Sequence, residues 1–231
     1  MNCDPVSECP TFSELVQAGG ATEPAASPAA ASAASSAAKP AAASAAAPAG
    51  RTAAVRPTAE ALARSIRLLV LDVDGVLTDG GLYYDASGLV MKRFHVHDGI
   101  GIRIALDAGI DIAVLSGMDV PCVRKRLEEL HVTHYVGGKD NKATLLDELR
   151  RELGLEWHEI AYLGDDWVDM APMLRVGLPA AVANAQPDVK EIARIVMHRS
   201  GGNGAVREMI DFLLICQGKR DALVQAWKNL V

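Results

Sequence analysis

Cysteine, aromatic side chains and positive charge are all scarce in this chain, and each shortage excludes something. The 231 residues hold four cysteines. Cys3 and Cys9 lie in the first ten residues, and Cys122 and Cys216 stand alone, with no C-x-x-C pair or Cys/His grouping at zinc spacing. That argues against a zinc site and fits free thiols in a reducing cytoplasm. Three Phe, four Tyr and three Trp leave an apolar half of the composition that is inflated by alanine. With 23 Lys+Arg against 29 Asp+Glu, the formal charge of −6 supplies no basic field for nucleic acid or another polyanion. No uncharged apolar run reaches the ~18 residues of a membrane-spanning helix.

The alanine is unevenly placed. Nineteen of the thirty-four residues from Ala21 to Ala54 are alanine, interrupted by Pro24, Pro28, Pro40 and Pro48. Repeated proline breaks helix, and no large side chain is present to bury, so residues 1–64 read as a low-complexity, disordered tail. Residues 1–20 carry Asp4, Glu8 and Glu14 and no base, unlike an export signal, which starts positive. A cytoplasmic location is expected. Residues 1–66 hold a net −1, which leaves −5 for the body. An anionic substrate must therefore be held by local cations or a metal, not by the overall field.

Residues 65–231 are long enough for one domain. Short apolar runs at 68–71, 110–115, 160–163, 178–183 and 195–197 alternate with helical stretches near 99–108, 120–131, 141–153, 168–175 and 187–194. A final helix spans about 204–217, with an extension beyond Gly218. This rhythm predicts an α/β fold, a parallel central sheet covered by helices on both faces. One segment breaks it: residues 82–84, a turn at 85–88, and 89–95 form an inserted β-hairpin. A two-stranded hairpin is marginal alone and must pack on its own body or on another subunit.

Ligands of open α/β sheets bind beyond the carboxyl ends of the strands. Three such ends carry polar residues: Asp72-Val73-Asp74-Gly75 after the first strand, Ser116-Gly117 after the second, and Asp165, Asp166 and Asp169 after the third. Lys142 opens the helix between the second and third. Crowded carboxylates must be protonated or neutralised by a cation, and an all-oxygen donor set suits Mg²⁺. With Lys142 as a fixed cation and Ser116 as a hydroxyl, the set can cradle a phosphate. Asp-Gly is also ordinary turn chemistry, and Asp in a first helical turn is favourable without function.

In its motifs and their order, the span from Arg67 to Gln217 resembles the haloacid dehalogenase (HAD) superfamily of phosphohydrolases. Asp72-x-Asp74-Gly-Val-Leu-Thr-Asp matches the first motif, and Ser116, Lys142 and Gly164-Asp165-Asp166-x-x-Asp169 match the second to fourth. More narrowly it is similar to the capless branch that contains 3-deoxy-D-manno-octulosonate 8-phosphate (KDO 8-phosphate) phosphatases. The residues behind that are the hairpin, Asp98-Gly99-Ile100-Gly101-Ile102-Arg103, Asn141-Lys142 and Gly201 to Glu208. The resemblance implies a Rossmann-like three-layer sandwich without a large cap domain, and a Mg²⁺-dependent phosphatase of an acidic sugar phosphate. It implies Asp72 as nucleophile, Asp74 as acid and base, and Ser116 and Lys142 on the phosphoryl oxygens. Metal ligands would be Asp72, the Asp74 carbonyl and Asp165, with Asp166 and Asp169 orienting Lys142 or water. Lys92, His95, His97, Asp98, Gly99, Arg103 and Arg126 would lie near the sugar. The implied assembly is a homotetramer whose neighbouring subunits, through the 82–95 hairpin or the 200–231 tail, cover the site, and the implied pathway is lipopolysaccharide precursor synthesis.

Two departures bear on substrate. The branch usually carries Thr-Gly-Arg at its second motif, where this chain has Ser116-Gly117-Met118, and often Arg before Asp-Gly, where His97 stands here. Both lost cations would have faced an acidic sugar, so a nine-carbon keto-acid 9-phosphate is an alternative substrate. His95 and His97 fall on the hairpin's outgoing arm, where at most one would face the site. Two other classes compete. A signalling receiver module also uses Asp, Mg²⁺, Ser/Thr and Lys, but it places its phosphoacceptor after a later strand. A silent HAD-like oligomerisation domain has no need of both Asp72 and Asp74.

Overall fold

The first strand, β1 (Leu68–Leu71), is buried at all four positions, as a strand covered on both faces must be. It is the hub of a six-stranded parallel sheet in the order β5-β4-β1-β6-β7-β8, seen here in a computed structural model that describes residues 57–139 and 141–229. Its neighbours are β4 (Asp111–Leu115), with Leu71 opposite Val114, and β6 (Ile160–Gly164), with Leu71 opposite Leu163. The edges are β5 (His134–Val136) on one side and β7 (Leu178–Ala181) followed by β8 (Ile195–Val196) on the other. The chain leaves β1 toward β4 and later returns to its other side as β6, so the order reverses at the carboxyl end of β1. That reversal is where an open sheet leaves a crevice.

Right-handed crossovers place α2 (Val96–Asp107) and α3 (Pro121–Glu129) on one face and α4 (Lys142–Glu152), α5 (Met170–Met173) and α6 (Pro187–Ile192) on the other. Helix α7 (Ala205–Cys216) packs on α2 through Val206, Met209, Ile210, Leu213 and Leu214, all buried and spaced for one helical face. The last helix, α8 (Arg220–Lys228), buries no residue. The inserted hairpin, β2 (Tyr83–Asp85) with β3 (Gly88–Met91), is a separate antiparallel ribbon, and no large cap domain stands over the sheet among the described residues.

Four sequence expectations shift. Strand β5 was not anticipated, because an edge strand of three residues carries no apolar run. The outgoing arm of the hairpin ends at Met91 instead of reaching residue 95: Phe94 makes a single bridge to Thr78, and His95 is the residue from which α2 starts. Helix α2 accordingly starts three residues before the expected 99. The folded body also begins before residue 65. A short helix, α1 (Ala59–Ala63), is capped by the Thr58 side chain, buries Ala63, and accepts a bond from Gln217 Nε2 at the Ala63 carbonyl (3.1 Å). The remainder of the expected tail, residues 1–56, lies outside the described residues.

Candidate active site

Asp72 follows the last residue of β1 and is 5 % exposed. Its Oδ1 accepts from Lys142 Nζ at 2.7 Å, and the same ammonium donates to Asp169 Oδ1 at 2.8 Å. Lys142 reaches this point because it is the first residue of α4, with Asn141 Oδ1 capping the Thr144 N–H (3.3 Å). Asp169 is fully buried, and its remaining bonds come from Tyr162 Oη (2.8 Å) and the N–H groups of Asp165 (3.0 Å) and Asp166 (3.5 Å). Both of its oxygens are therefore occupied by protein donors, the Lys142 ammonium among them. Asp166 is exposed and caps the turn at Trp167–Asp169, accepting the Trp167 N–H (2.7 Å).

Asp165 completes the cluster. Oxygens of Asp72, Asp165 and Asp169 all lie within 4.8 Å of one another, and Asp165 Oδ1 is buried with no hydrogen-bond partner. Three carboxylates face one ammonium, so the site lacks two positive charges. The consequence is visible in the titration of its members. Burial, with the charge of Asp169, pushes the Asp72 carboxyl up to about 7. Burial, with Asp72 beside it, pushes Asp165 up to about 8. Burial works against the charge of Lys142, but Asp169 and Asp72 hold it above the ordinary lysine range. One divalent cation would satisfy both the orphaned oxygen and the missing charge, and hard oxygen donors suit Mg²⁺.

The loop after β1 is shaped to present this cluster. The Thr78 N–H closes it on the Val73 carbonyl (3.0 Å), and Gly75 sits at φ +95°. A side chain at Gly75 would also overlap the Asp165 carboxylate, so glycine is required twice over. The Gly201–Gly202 pair packs directly on the same loop: Gly202 N–H donates to the Val76 carbonyl (3.0 Å), and a Cβ on Gly201 would collide with the Gly75 carbonyl. The glycine run at 201–204 thus buttresses the loop.

Other predicted residues divide. Asp74 is beside the cluster, but its carboxylate is paired with Lys92 Nζ at 2.6 and 2.7 Å. Ser116 is buried at the end of β4, one strand from Asp72, and its Oγ accepts the Met118 N–H (3.2 Å). Asp98 is committed elsewhere: it is buried and accepts the N–H groups of Arg207 (2.8 Å) and Gly204 (3.2 Å), capping α7. Burial holds its carboxyl above the usual range. The Arg126 guanidinium lies against the backbone of Gly99. Arg103 is exposed on α2, with no ion pair or hydrogen bond to the cluster. His95 and His97 are in edge contact at the start of α2, rings 5.1 Å apart, so they are not on a strand. His95 Nδ1 is buried and unpartnered, while His97 is exposed.

Two participants, Tyr162 and Asp119, escaped sequence reasoning. Tyr162 had a signal, since a tyrosine inside an otherwise aliphatic buried strand needs a partner for its hydroxyl. Lys92, expected near the sugar, bonds both oxygens of Asp74. The loop after β4 is braced by Asp119, which pairs with Arg124 and accepts from Tyr135 Oη (3.2 Å); no spacing rule links those three positions.

A family profile for haloacid dehalogenase-like hydrolases matches residues 132–210. The chain is 43 % identical over 167 residues to the KDO 8-phosphate phosphatase KdsC of Salmonella typhimurium, covering 72 % of this chain and 89 % of that protein. This chain belongs to the KDO 8-phosphate phosphatase family of the HAD superfamily. Solved structures agree with that membership. The KDO 8-phosphate phosphatase of Yersinia pestis superposes with a TM-score of 0.69 at 39 % identity, covering 71 % of this chain and 88 % of its own. The Moraxella catarrhalis enzyme of the family, solved with magnesium, phosphate and KDO, gives a TM-score of 0.71 at 34 % identity, covering 73 % and 97 %.

Proposed function

We propose that the chain is a Mg²⁺-dependent phosphatase that hydrolyses KDO 8-phosphate to KDO and phosphate. The observation that carries this is the buried nucleophile candidate Asp72, bound to Lys142 and adjacent to an Asp165 oxygen left without any partner. Asp72 and Asp165 would hold the ion, with the Asp74 carbonyl as a further ligand. Bound there, Mg²⁺ would neutralise charge on the phosphoryl oxygens and let an anionic ester approach a carboxylate.

The protein's own groups account for the rest. A carboxylate oxygen of Asp72 attacks phosphorus, the ester P–O bond breaks, and the sugar oxygen takes a proton from Asp74. Lys142 and the Ser116 hydroxyl bind the phosphoryl oxygens, and Asp169 with Tyr162 keeps Lys142 in place. Water, deprotonated by Asp74, then attacks the aspartyl-phosphate, which releases phosphate and restores Asp72. Splitting the hydrolysis this way replaces one high barrier with two lower ones.

The capless sheet leaves this site open, and Leu82, Tyr83, Tyr84 and Met91 expose apolar surface on the hairpin. That exposed surface supports cover by a neighbouring subunit, the resemblance implies a homotetramer, and a gel-filtration mass of one chain refutes it. With KDO as its product, the enzyme would act in lipopolysaccharide precursor synthesis. The deciding experiment is phosphate release from a panel of sugar phosphates, eight- and nine-carbon keto acids included, with Mg²⁺ and with EDTA. KDO 8-phosphate should be cleaved fastest and only with metal; preference for a nine-carbon ester reassigns the substrate, and Asp72→Asn with full turnover removes the mechanism.

A further inference from the structure

The Asp74 carboxylate is held by its own cation. Lys92 follows the last residue of β3, its side chain has no exposed surface, and its Nζ lies 2.6 and 2.7 Å from the two Asp74 oxygens. A lysine this deep persists only when paired. The two residues after Lys92 are tied to the loop that carries Asp74 and to the glycine run packed on it. Arg93 Nη1 donates to Asp79 Oδ2 (2.9 Å) and the Gly202 carbonyl (3.1 Å), while its Nη2 donates to Asn203 Oδ1 (3.2 Å). Phe94 bridges to Thr78, whose buried hydroxyl donates to the Val73 carbonyl (3.2 Å).

We propose that Lys92 is a positioning residue for the acid–base step, fixing the Asp74 carboxyl in the orientation that protonates a departing sugar oxygen. The proposal rests on the phosphatase reading above. A carboxylate gripped at both oxygens by one ammonium cannot rotate freely about its Cβ–Cγ bond. When Asp74 carries a proton, its other oxygen still accepts from the ammonium, which leaves the O–H aimed away from Lys92. Lysine has three donors and Asp74 uses two, so the third remains for a substrate oxygen. The inserted hairpin thereby supplies a residue to catalysis as well as a surface for packing.

A purely structural ion pair, tying hairpin to loop, would predict something different. The test compares Lys92→Met with wild type on two esters, KDO 8-phosphate, whose alkoxide must be protonated to leave, and p-nitrophenyl phosphate, whose phenolate leaves unaided. The kcat/KM for KDO 8-phosphate should fall on the order of 100-fold, the scale one positioned acid supplies, and that for the aryl ester by less than about fivefold. Inhibition by inorganic phosphate should be unchanged, and Lys92→Arg should recover part of the loss. In an Asp74→Asn background, adding Lys92→Met should change KDO 8-phosphate turnover little, because the acid through which it acts is gone. That double variant leaves no unpaired charge, so it reports even where the single variant folds poorly. Equal loss on both esters, or an additive loss in the Asp74→Asn background, overturns the proposal. Wild type that cleaves neither ester with Mg²⁺ overturns the functional reading, and this one with it.

Discussion

Lys142→Met removes the only ammonium bonded to the buried cluster among the described residues while keeping a side chain of similar length. Two bonds are lost, 2.7 Å to Asp72 and 2.8 Å to Asp169, at a lysine that is 2 % exposed. Breaking a buried pair by deleting one partner costs about 3–5 kcal/mol. At about 2–4 °C per kcal/mol for a domain of this size, the melting temperature should fall by roughly 10 °C. The loss must depend on pH, and its sign is fixed by the carboxylates. Lys142, held above the ordinary lysine range, stays charged at every pH from 5 to 8, so in wild type its contribution to the cluster does not itself titrate there. Asp72 already sits at about 7 beside the ammonium, and without it moves higher. At pH 5 Asp72 and Asp165 are protonated and need the cation little; at pH 8 Asp72 is ionised and needs it most. Urea unfolding in EDTA, followed by circular dichroism, should therefore show the full penalty at pH 8 and a much smaller one at pH 5. Equal destabilisation at both would mean that Lys142 contributes packing only, and the charge argument for the site would fail. Turnover should fall at least about 100-fold, the usual loss when one fixed donor to a transition-state oxygen is removed.

Metal and pH should be linked in wild type. Asp72 and Asp165 are raised to about 7 and 8, so the metal-free fold is stabilised by protonation below the ordinary carboxylate value, and that contribution is lost as pH rises through about 7 to 8. The melting temperature in EDTA should decline over this window, and the increment from Mg²⁺ should grow over it, as the ion replaces the protons; an increment independent of pH counts against Asp72 and Asp165 as ligands. Gly75→Ala should weaken Mg²⁺ binding in calorimetry at least about tenfold, since the new methyl overlaps Asp165 at a φ that alanine adopts at a cost of roughly 1–2 kcal/mol. Unchanged affinity would mean that Asp165 does not hold the ion. Removing residues 1–56 should leave kcat and melting temperature as they are, whereas removing 1–64 should cost about 1–2 kcal/mol through the lost Thr58 cap and the buried Ala63. Equal melting temperatures for the two truncations would show that α1 adds nothing.

Local sequence was a sound guide wherever one residue's neighbours along the chain decide its fate. The all-apolar run 68–71 can only be a strand buried on both faces, and the residue that ends it, Asp72, must emerge at the sheet's carboxyl edge. The same logic delivered Ser116, Lys142 and Asp165 to that edge, because parallel strands joined by right-handed crossovers all point one way. It misjudged residues whose partner is distant in sequence. Asp98 looked like a sugar ligand, but its carboxylate is taken by backbone N–H groups more than a hundred positions away. His95 and His97 looked like strand residues because nothing local announces that the hairpin stops at Met91 and a helix begins.

By itself, then, the sequence determined the parallel α/β architecture, the strand ends at which polar side chains gather, and the hard-oxygen character of the donor set. Only the folded chain decided how those groups divide their work: Asp169 spends both oxygens on Lys142, Tyr162 and two backbone N–H groups, Asp165 keeps one oxygen free, and Lys92 goes to Asp74. The physical reason is that strand and helix periodicity are set by neighbours a few residues apart. Which carboxylate receives which cation is set by distances of a few ångströms between segments some 20 to 70 residues apart, and by the burial that makes an unpaired charge intolerable.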